Sequence, residues 1–257
     1  MRVVSLVPSL TETVATLGGA DLLVGRTSFC PRVRGPAGPV PALGGTKTPD
    51  LQRILDLAPD LVLLDRDENR REDADALRAA GIELLVAEVA DPRDVPAFLR
   101  DLARQLDLPA GRDEASRLEE ALAALPPPPE HPPGALVPAW RDPWVLVARE
   151  TYAGNLLDLL GLAVVPEGPP RYPRLPLPEA AALRPELVLL PDEPYRFTRN
   201  AAAPLLDAIA TARGTPPRAV PLDGRDLFWY GARTREALAR LSRKLRGESP
   251  DGPPSTR

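Results

Sequence analysis

One stretch of sequence decides the fold, and it occurs twice: LQRILDLAPDLVLL at residues 51–64 and LPEAAALRPELVLL at residues 177–190. The second copy begins 126 residues after the first, close to half of the 257-residue chain. Each copy predicts a short helix that ends before a proline and an acidic residue, followed by a strand of apolar residues. The half-length spacing favours a duplication, so we expect two lobes of similar topology.

Apolar runs of strand length alternate with helix-like segments along the rest of the chain. In the first half these runs are Val3–Val7, Leu61–Leu64 and Leu84–Val86. Such alternation is typical of α/β proteins whose parallel strands are buried on both faces. We therefore predict an N-terminal α/β lobe at residues 1–107 and a C-terminal α/β lobe at residues 134–246.

The sequence between the predicted lobes contains a helix and a proline-rich connector. Residues 108–133 carry an apolar stripe at helical spacing, which includes Leu118 and Leu122, and then the run Pro126–Pro129. We expect the helix to join the lobes, whereas the consecutive prolines exclude a helix from the connector. Residues 247–257 are polar and rich in proline and serine, so we expect a disordered tail.

The composition limits the classes of partner and the compartment. A net charge of −4 and a pI near 5.3 give a nucleic acid no overall electrostatic attraction. No apolar run approaches the ~18 residues of a membrane helix, so membrane insertion is not expected. Because Met1 and Arg2 lead directly into a strand-like run, no signal peptide is recognised and a cytoplasmic location is expected. Had an N-terminal segment been removed, the location would be periplasmic or extracellular.

Residues that usually carry catalysis or bind metals are scarce. Cys30 is the only cysteine and has no histidine nearby in the sequence, and the only histidine, His131, lies in the connector. The chain has no glycine-rich nucleotide motif, no Walker A motif and no nucleophile elbow. We therefore predict no catalytic residue, no metal site and no covalent cofactor. An α/β enzyme that uses aspartate, glutamate or arginine is the alternative from another class.

Aromatic residues are few and unevenly distributed. Nine of the 11 fall between Trp140 and Tyr230, mostly near the predicted ends of strands. Ligands of open parallel sheets bind beyond the carboxyl ends of the strands, so these rings can form a stacking wall for a sizeable organic ligand. The alternative is that they pack beneath loops as a small satellite core. At the end of the first strand, Ser9 with Glu12 predicts a capping box, whose exposed amides can also bind an anionic group.

Several motifs together resemble the class III substrate-binding proteins of ABC uptake, a family that includes vitamin B12-, siderophore- and haem-binding proteins. The resemblance is collinear and covers nearly the whole chain, from residue 2 to about residue 245. Besides the two copies of the repeat, the matching motifs are RVVSLVPSLTE at residues 2–12, VGRT at 24–27, GGTK at 44–47, RDPW at 141–144 and RYPR at 171–174.

The resemblance implies two Rossmann-like lobes joined by a single backbone helix, with the ligand in the cleft between them. It implies a corrinoid or metal chelate as ligand, such as cobalamin, haem or a ferric chelate. From their place in the family's pattern and from their aromatic character, the expected ligand-binding residues are Ser9, Phe29, Arg66, Trp140, Trp144, Tyr195, Trp229 and Tyr230.

The sequence departs from the family's pattern at the two positions at which relatives contact an ABC permease. Relatives that dock on a permease present one glutamate per lobe, seven residues before the proline of the repeated unit. Those positions hold Gln52 and Pro178, with Glu179 adjacent, which puts docking on an ABC permease in doubt. We predict a monomeric, non-enzymatic protein that binds a small molecule inside the cell. The alternative is a conventional periplasmic receptor of an ABC transporter whose leader has been removed.

Overall fold

The computed structural model describes residues 1–247, which form two compact units. The N-terminal unit comprises Met1–Val89, Arg93–Glu120 and Tyr230–Arg233. The C-terminal unit comprises Ala90–Pro92, Ala121–Trp229 and the described residues from Thr234 onward. Apart from Gly247, the tail predicted at residues 247–257 lies outside the described residues.

Helices and strands alternate along both units. The strands are β1 (Val3–Ser5), β2 (Leu23–Arg26), β3 (Arg34–Gly35), β4 (Gly38–Pro39), β5 (Leu61–Asp65), β6 (Glu83–Ala87), β7 (Gly134–Leu136), β8 (Pro138–Trp140), β9 (Trp144–Leu146), β10 (Ala163–Val165), β11 (Arg174–Leu175), β12 (Leu187–Pro191) and β13 (Arg218–Leu222). The α-helices are α1 (Pro8–Val14), α2 (Leu51–Asp56), α3 (Arg71–Ala79), α4 (Val95–Leu106), α5 (Ala110–Ala123), α6 (Tyr152–Leu159), α7 (Leu177–Ala182), α8 (Arg199–Arg213), α9 (Gly224–Phe228) and α10 (Thr234–Arg246).

The N-terminal unit is built on a parallel sheet in the order β2-β1-β5-β6. The central strands β1 and β5 are buried along their whole length, as their continuous apolar sequences predict. Ile54 of α2 and Leu77 of α3 pack against Val4 and Val62 of these strands. Helices therefore pack against the faces of the sheet, and loops follow the carboxyl ends of its strands.

The C-terminal unit repeats this arrangement with a parallel sheet in the order β10-β7-β12-β13. In both sheets the first strand lies between the second and the third, and the fourth pairs with the third. The α/β fold class with two parallel sheets is thus confirmed. The predicted duplication is also visible as the same strand order in each unit.

The repeated sequence adopts the same local structure in both units. The pair α2–β5 corresponds to α7–β12, with six-residue helices and five-residue strands at the same offset in the sequence. Ala58 (φ 43°) and Arg184 (φ 51°) occupy the same position of the repeat, and both have a left-handed backbone. Each directly precedes the proline that ends the helical segment, so the backbone of the turn is duplicated together with its sequence.

A small antiparallel sheet in the C-terminal unit has no counterpart in the sequence analysis. It has the order β11-β9-β8 and carries Trp140 at the end of β8 and Trp144 at the start of β9. Both tryptophans were expected near the ends of strands, and the segment between them is a hairpin turn, in which Asp142 has a left-handed backbone (φ 58°).

The predicted joining helix corresponds to α5, which begins in the N-terminal unit and contains the boundary between Glu120 and Ala121. The guanidinium of Arg100 on α4 binds both carboxylate oxygens of Glu119 on α5, at 2.5 and 2.6 Å. The boundaries of the compact units therefore differ from those of the lobes predicted at residues 1–107 and 134–246. Within residues 1–247, none of the helices combines the length and the apolar character needed to cross a bilayer.

Candidate functional site

In the N-terminal unit, a buried carboxylate ends the central strand β5. Asp65 accepts hydrogen bonds at Oδ1 from the backbone N–H groups of Asp67 (2.8 Å) and Glu68 (3.1 Å), and at Oδ2 from the Tyr230 hydroxyl (2.6 Å). Burial raises the pKa of Asp65. Burial, reinforced by the charge of Asp65, also raises the pKa of Tyr230, so the phenol remains the proton donor of the pair.

Tyr230 is held in the N-terminal unit by further contacts and is only 5% exposed. Its ring meets Phe98 edge to face, with centroids 5.5 Å apart. The next residue, Gly231, has a φ of 110° and leaves no room for a Cβ against the Thr13 hydroxyl. That hydroxyl accepts a hydrogen bond from the backbone N–H of Ala232 at 3.2 Å. The predicted ligand residue Tyr230 is therefore packed and hydrogen-bonded within this unit.

The capping box predicted at Ser9 and Glu12 is wrong. Helix α1 begins at Pro8, two residues earlier than the box requires, and its N-cap residue Val7 makes no side-chain cap. Ser9 is buried, and its hydroxyl has no hydrogen-bond partner among the described residues. Glu12 instead receives two hydrogen bonds from the Arg233 guanidinium, at 2.7 and 2.6 Å. This long-range bidentate pair competes successfully with local capping.

Two predicted site residues of the N-terminal unit are open to solvent. Phe29 follows β2 and is 69% exposed. Arg66 follows β5, is exposed, and pairs with Glu88 beyond β6. Nearby, the Lys47 ammonium donates a hydrogen bond to the Asp67 carbonyl at 2.8 Å. The loops at this edge thus present one aromatic ring and two cationic side chains.

In the C-terminal unit, four aromatic rings form a continuous chain from the surface to the core. The Trp140 indole is 48% exposed and meets Tyr195 edge to face at 5.5 Å. Tyr195 contacts Phe197 at 4.7 Å, and Phe197 stacks on Trp144 at 6.0 Å. Trp144 and Phe197 belong to the buried core of the unit. One end of the cluster is therefore a buried core, and the other is an exposed ring; whether that ring forms part of a stacking wall for a ligand stays a prediction.

A second feature of the C-terminal unit is Glu193, which sequence analysis did not single out. It follows β12, and its carboxylate is hydrogen-bonded by the indole of Trp229, the last residue before the chain enters the N-terminal unit. Burial raises the pKa of Glu193 to about 7, assisted by the charges of Asp223 and Asp192 and opposed by Arg225. Its position near the carboxyl end of the repeated strand, where Asp65 ends β5 in the other unit, was the available signal.

The environment of Cys30 is not that of a catalytic nucleophile. The Cys30 thiol is buried, lies 3.1 Å from the Thr27 hydroxyl, and has its pKa raised chiefly by burial. A thiol of this kind is a poor nucleophile. Among residues 1–247, no three histidine, cysteine, aspartate or glutamate side chains converge as a metal site would require.

The sequence as a whole agrees with this arrangement of two parallel sheets. A family model described as periplasmic binding protein matches residues 3–192. The chain belongs to the periplasmic binding protein family. The family predicted from the sequence motifs is thus confirmed.

Solved structures of periplasmic binding proteins share the fold over nearly their whole length. The heme-binding protein RhuT from Roseiflexus sp. RS-1, in apo form, is 23% identical with a TM-score of 0.76, covering 96% of this chain and 98% of RhuT. The vitamin B12-binding protein BtuF of Vibrio cholerae is 16% identical with a TM-score of 0.73, covering 95% and 96%. The heme-binding protein BhuT in complex with two hemes is 25% identical with a TM-score of 0.76, covering 96% and 98%. No curated protein matches the sequence.

Membership in the periplasmic binding protein family bears on the chemistry and on the compartment. Proteins of this family bind substrates and are not enzymes. The family is periplasmic, and the cytoplasmic location expected from the N-terminal residues has no support.

Proposed function

We propose that this periplasmic binding protein is a receptor that binds haem, a corrinoid or a ferric chelate reversibly and without chemical change. The observation that carries the proposal is the exposed Trp140 indole, held through Tyr195 on the buried core of its unit. A ring fixed in this way offers a large apolar surface and loses little conformational entropy on binding. The three solved relatives are heme-binding or vitamin B12-binding proteins, and both ligands are large and have extensive ring systems.

The eight ligand residues predicted from the sequence divide by exposure. We propose direct contact for the exposed or partly exposed side chains Phe29, Arg66, Trp140, Tyr195 and Trp229. The buried side chains act indirectly, by holding these neighbours, and they are Ser9, Trp144 and Tyr230. The predicted location of the ligand between the lobes stays a prediction.

Equilibrium titration of the purified protein with haemin and with cyanocobalamin tests the proposal. At least one of the two is expected to bind at one molecule per chain. Trp140→Ala should weaken that binding by about 1–3 kcal/mol, because it removes an aromatic anchor. Trp140→Phe should keep most of the affinity, because a flat ring remains.

Leu55→Ala is the matched control for the loss of apolar surface. Leu55 is also exposed, and it lies on the helix that precedes β5, away from the carboxyl end of that strand. The control is expected to bind like the unaltered protein. Equal affinity of Trp140→Ala and Leu55→Ala for every probe that binds would remove Trp140 from the site.

We place the proposed receptor outside the cytoplasm, as in its family, and fractionation of host cells checks this location. The two-glutamate mode of permease docking is not expected. The exposed Gln52 amide donates to Asp56 at 2.9 Å and stands beside Arg53, while Pro178 offers no side-chain acceptor. Arginines of a permease would therefore meet no carboxylate at either position.

Binding to a reconstituted B12-type permease measures this difference. Weak binding is expected for the unaltered protein, and a gain is expected for the double variant Gln52→Glu with Pro178→Glu. Tight, salt-sensitive binding by the unaltered protein would contradict the expectation, because it would show that the docking surface needs neither carboxylate.

A further inference from the structure

Glu193 is held at the carboxyl edge of the C-terminal sheet by the neighbouring strand. Strands β12 and β13 pair in parallel up to Pro191 and Leu222, so the residues that follow them are neighbours. The backbone N–H of Gly224 donates to Asp192 at 2.8 Å. A Cβ at Gly224 would lie 2.5 Å from the Glu193 carbonyl oxygen and 2.6 Å from its Cγ. Only glycine at this position lets Glu193 approach so closely.

The acceptor role of Glu193 toward Trp229 follows from this placement. Helix α9 begins at Gly224, after its N-cap residue Asp223, and ends at Phe228. The C-cap residue Trp229 donates its backbone N–H to the Arg225 carbonyl at 3.0 Å. The backbone of Trp229 is thus fixed by the helix, and its indole N–H donates to the Glu193 carboxylate. An indole can only donate, so the strength of this bond depends on the charge of its acceptor.

Charged groups of both signs surround Glu193. Arg225 of α9 favours the ionised carboxylate, whereas Asp223 before that helix and Asp192 on its own loop oppose it. Burial adds to the opposing side, so the pKa of Glu193 rises to about 7. Both protonation states are consequently populated near neutral pH, and only the ionised state gives Trp229 a charge-assisted hydrogen bond.

We propose that Glu193 is a positioning residue that holds the Trp229 indole more firmly when ionised than when protonated, which makes ligand binding at this edge proton-linked. The effect on the ligand rests on the proposed function. The effect on Trp229 does not, because the pair exists in the protein without ligand. The ionised fraction of Glu193 rises between pH 6 and pH 8, so a ligand that needs the fixed indole should bind more tightly at pH 8, by up to about tenfold.

The positioning step is tested without ligand, by following the indole N–H resonances of the three tryptophans from pH 5.5 to 8.5. The Trp229 resonance, assigned by its loss in Trp229→Phe, should titrate with a midpoint near 7. It should be independent of pH in Glu193→Gln, whose amide oxygen still accepts the bond. Asp192→Asn should lower the midpoint and Arg225→Gln should raise it, because these changes remove a repelling and an attracting charge respectively.

A Trp229 resonance that does not titrate in the unaltered protein, or that titrates equally in Glu193→Gln, would overturn the proposal. The ligand step is tested by titrating cyanocobalamin at pH 6 and pH 8, and haemin in the same way if only haemin binds. Unaltered protein should bind the probe more tightly at pH 8 than at pH 6, by up to about tenfold, and Glu193→Gln should show no difference beyond that of the probe itself. Equal pH dependence in both proteins would overturn the linkage. Failure of every probe to bind would count against the proposed function and leave the titration of Trp229 as the test of positioning.

Discussion

At the scale of single residues, the thiol of Cys30, the only cysteine of the chain, is shielded from solvent. Cys30 is 5% exposed, and its Sγ atom contacts the Thr27 hydroxyl and lies 3.8 Å from the Ser5 carbonyl oxygen. Burial disfavours the thiolate and raises the pKa of the thiol. We expect iodoacetamide at pH 8 to leave folded protein unmodified and to label one site per chain in urea. Labelling of the folded protein at the rate of the unfolded chain would contradict the burial of Cys30.

Sequence alone predicts candidate site residues only where a local pattern, such as a crowding of aromatic residues, marks them. Trp140 was predicted from the crowding of aromatic residues after residue 140, and its side chain is exposed. The hydrogen bond between Tyr230 and Asp65 joins residues 165 positions apart, and no local pattern predicts such a pair. Glu193 was missed for a related reason, since its raised pKa depends chiefly on burial in the folded chain, and no local pattern predicts that burial.

At the scale of elements, the repeated unit contains a strained turn that can be tested. Ala58 has a φ of 43°, is exposed, and precedes Pro59. A left-handed backbone costs a residue with a Cβ roughly 1–2 kcal/mol, whereas glycine adopts it freely at some cost in chain entropy. Ala58→Gly is therefore expected to raise the free energy of unfolding by up to about 1 kcal/mol.

The matched control is Ala76→Gly, an exposed position inside α3, where glycine should lower the free energy of unfolding by about 1 kcal/mol. Urea denaturation of both variants measures the two signs. Destabilisation by Ala58→Gly of the same size as the control would contradict a strained turn at Ala58. Arg184 is unsuitable for this test, because its guanidinium also binds the Ala212 carbonyl at 2.7 Å.

The helices and strands of the repeat were predictable because each copy has a strong apolar pattern and a proline between its helix and its strand. The hairpin of β8 and β9 was not, since each strand has three residues and its pairing depends on tertiary contacts. The start of α1 was also misjudged. A serine followed by a glutamate three residues later is a local signal for a capping box. In the folded protein the glutamate, Glu12, forms an ion pair with the distant Arg233 instead.

At the scale of the whole molecule, the duplication accounts for two sheets with the same strand order. It does not account for the segment Tyr230–Arg233, which belongs to the N-terminal unit although both of its neighbours in the chain belong to the C-terminal unit. Tyr230 and Arg233 bind carboxylates of the N-terminal unit, and neither bond has an equivalent in the repeat. The repeat in the sequence shows which unit occurs twice. It does not predict contacts made by residues outside that unit.

The central claim is that this member of the periplasmic binding protein family carries a haem, a corrinoid or a ferric chelate. Native mass spectrometry of the protein purified from its own host, with an absorbance spectrum of the same sample, tests it most directly. We expect a one-to-one complex whose added mass and absorption bands identify one of these three ligand classes, or the formation of such a complex on incubation with haemin, cyanocobalamin and a ferric siderophore. A protein that retains only its own mass in every case, or that carries a ligand without a metal, would contradict the claim.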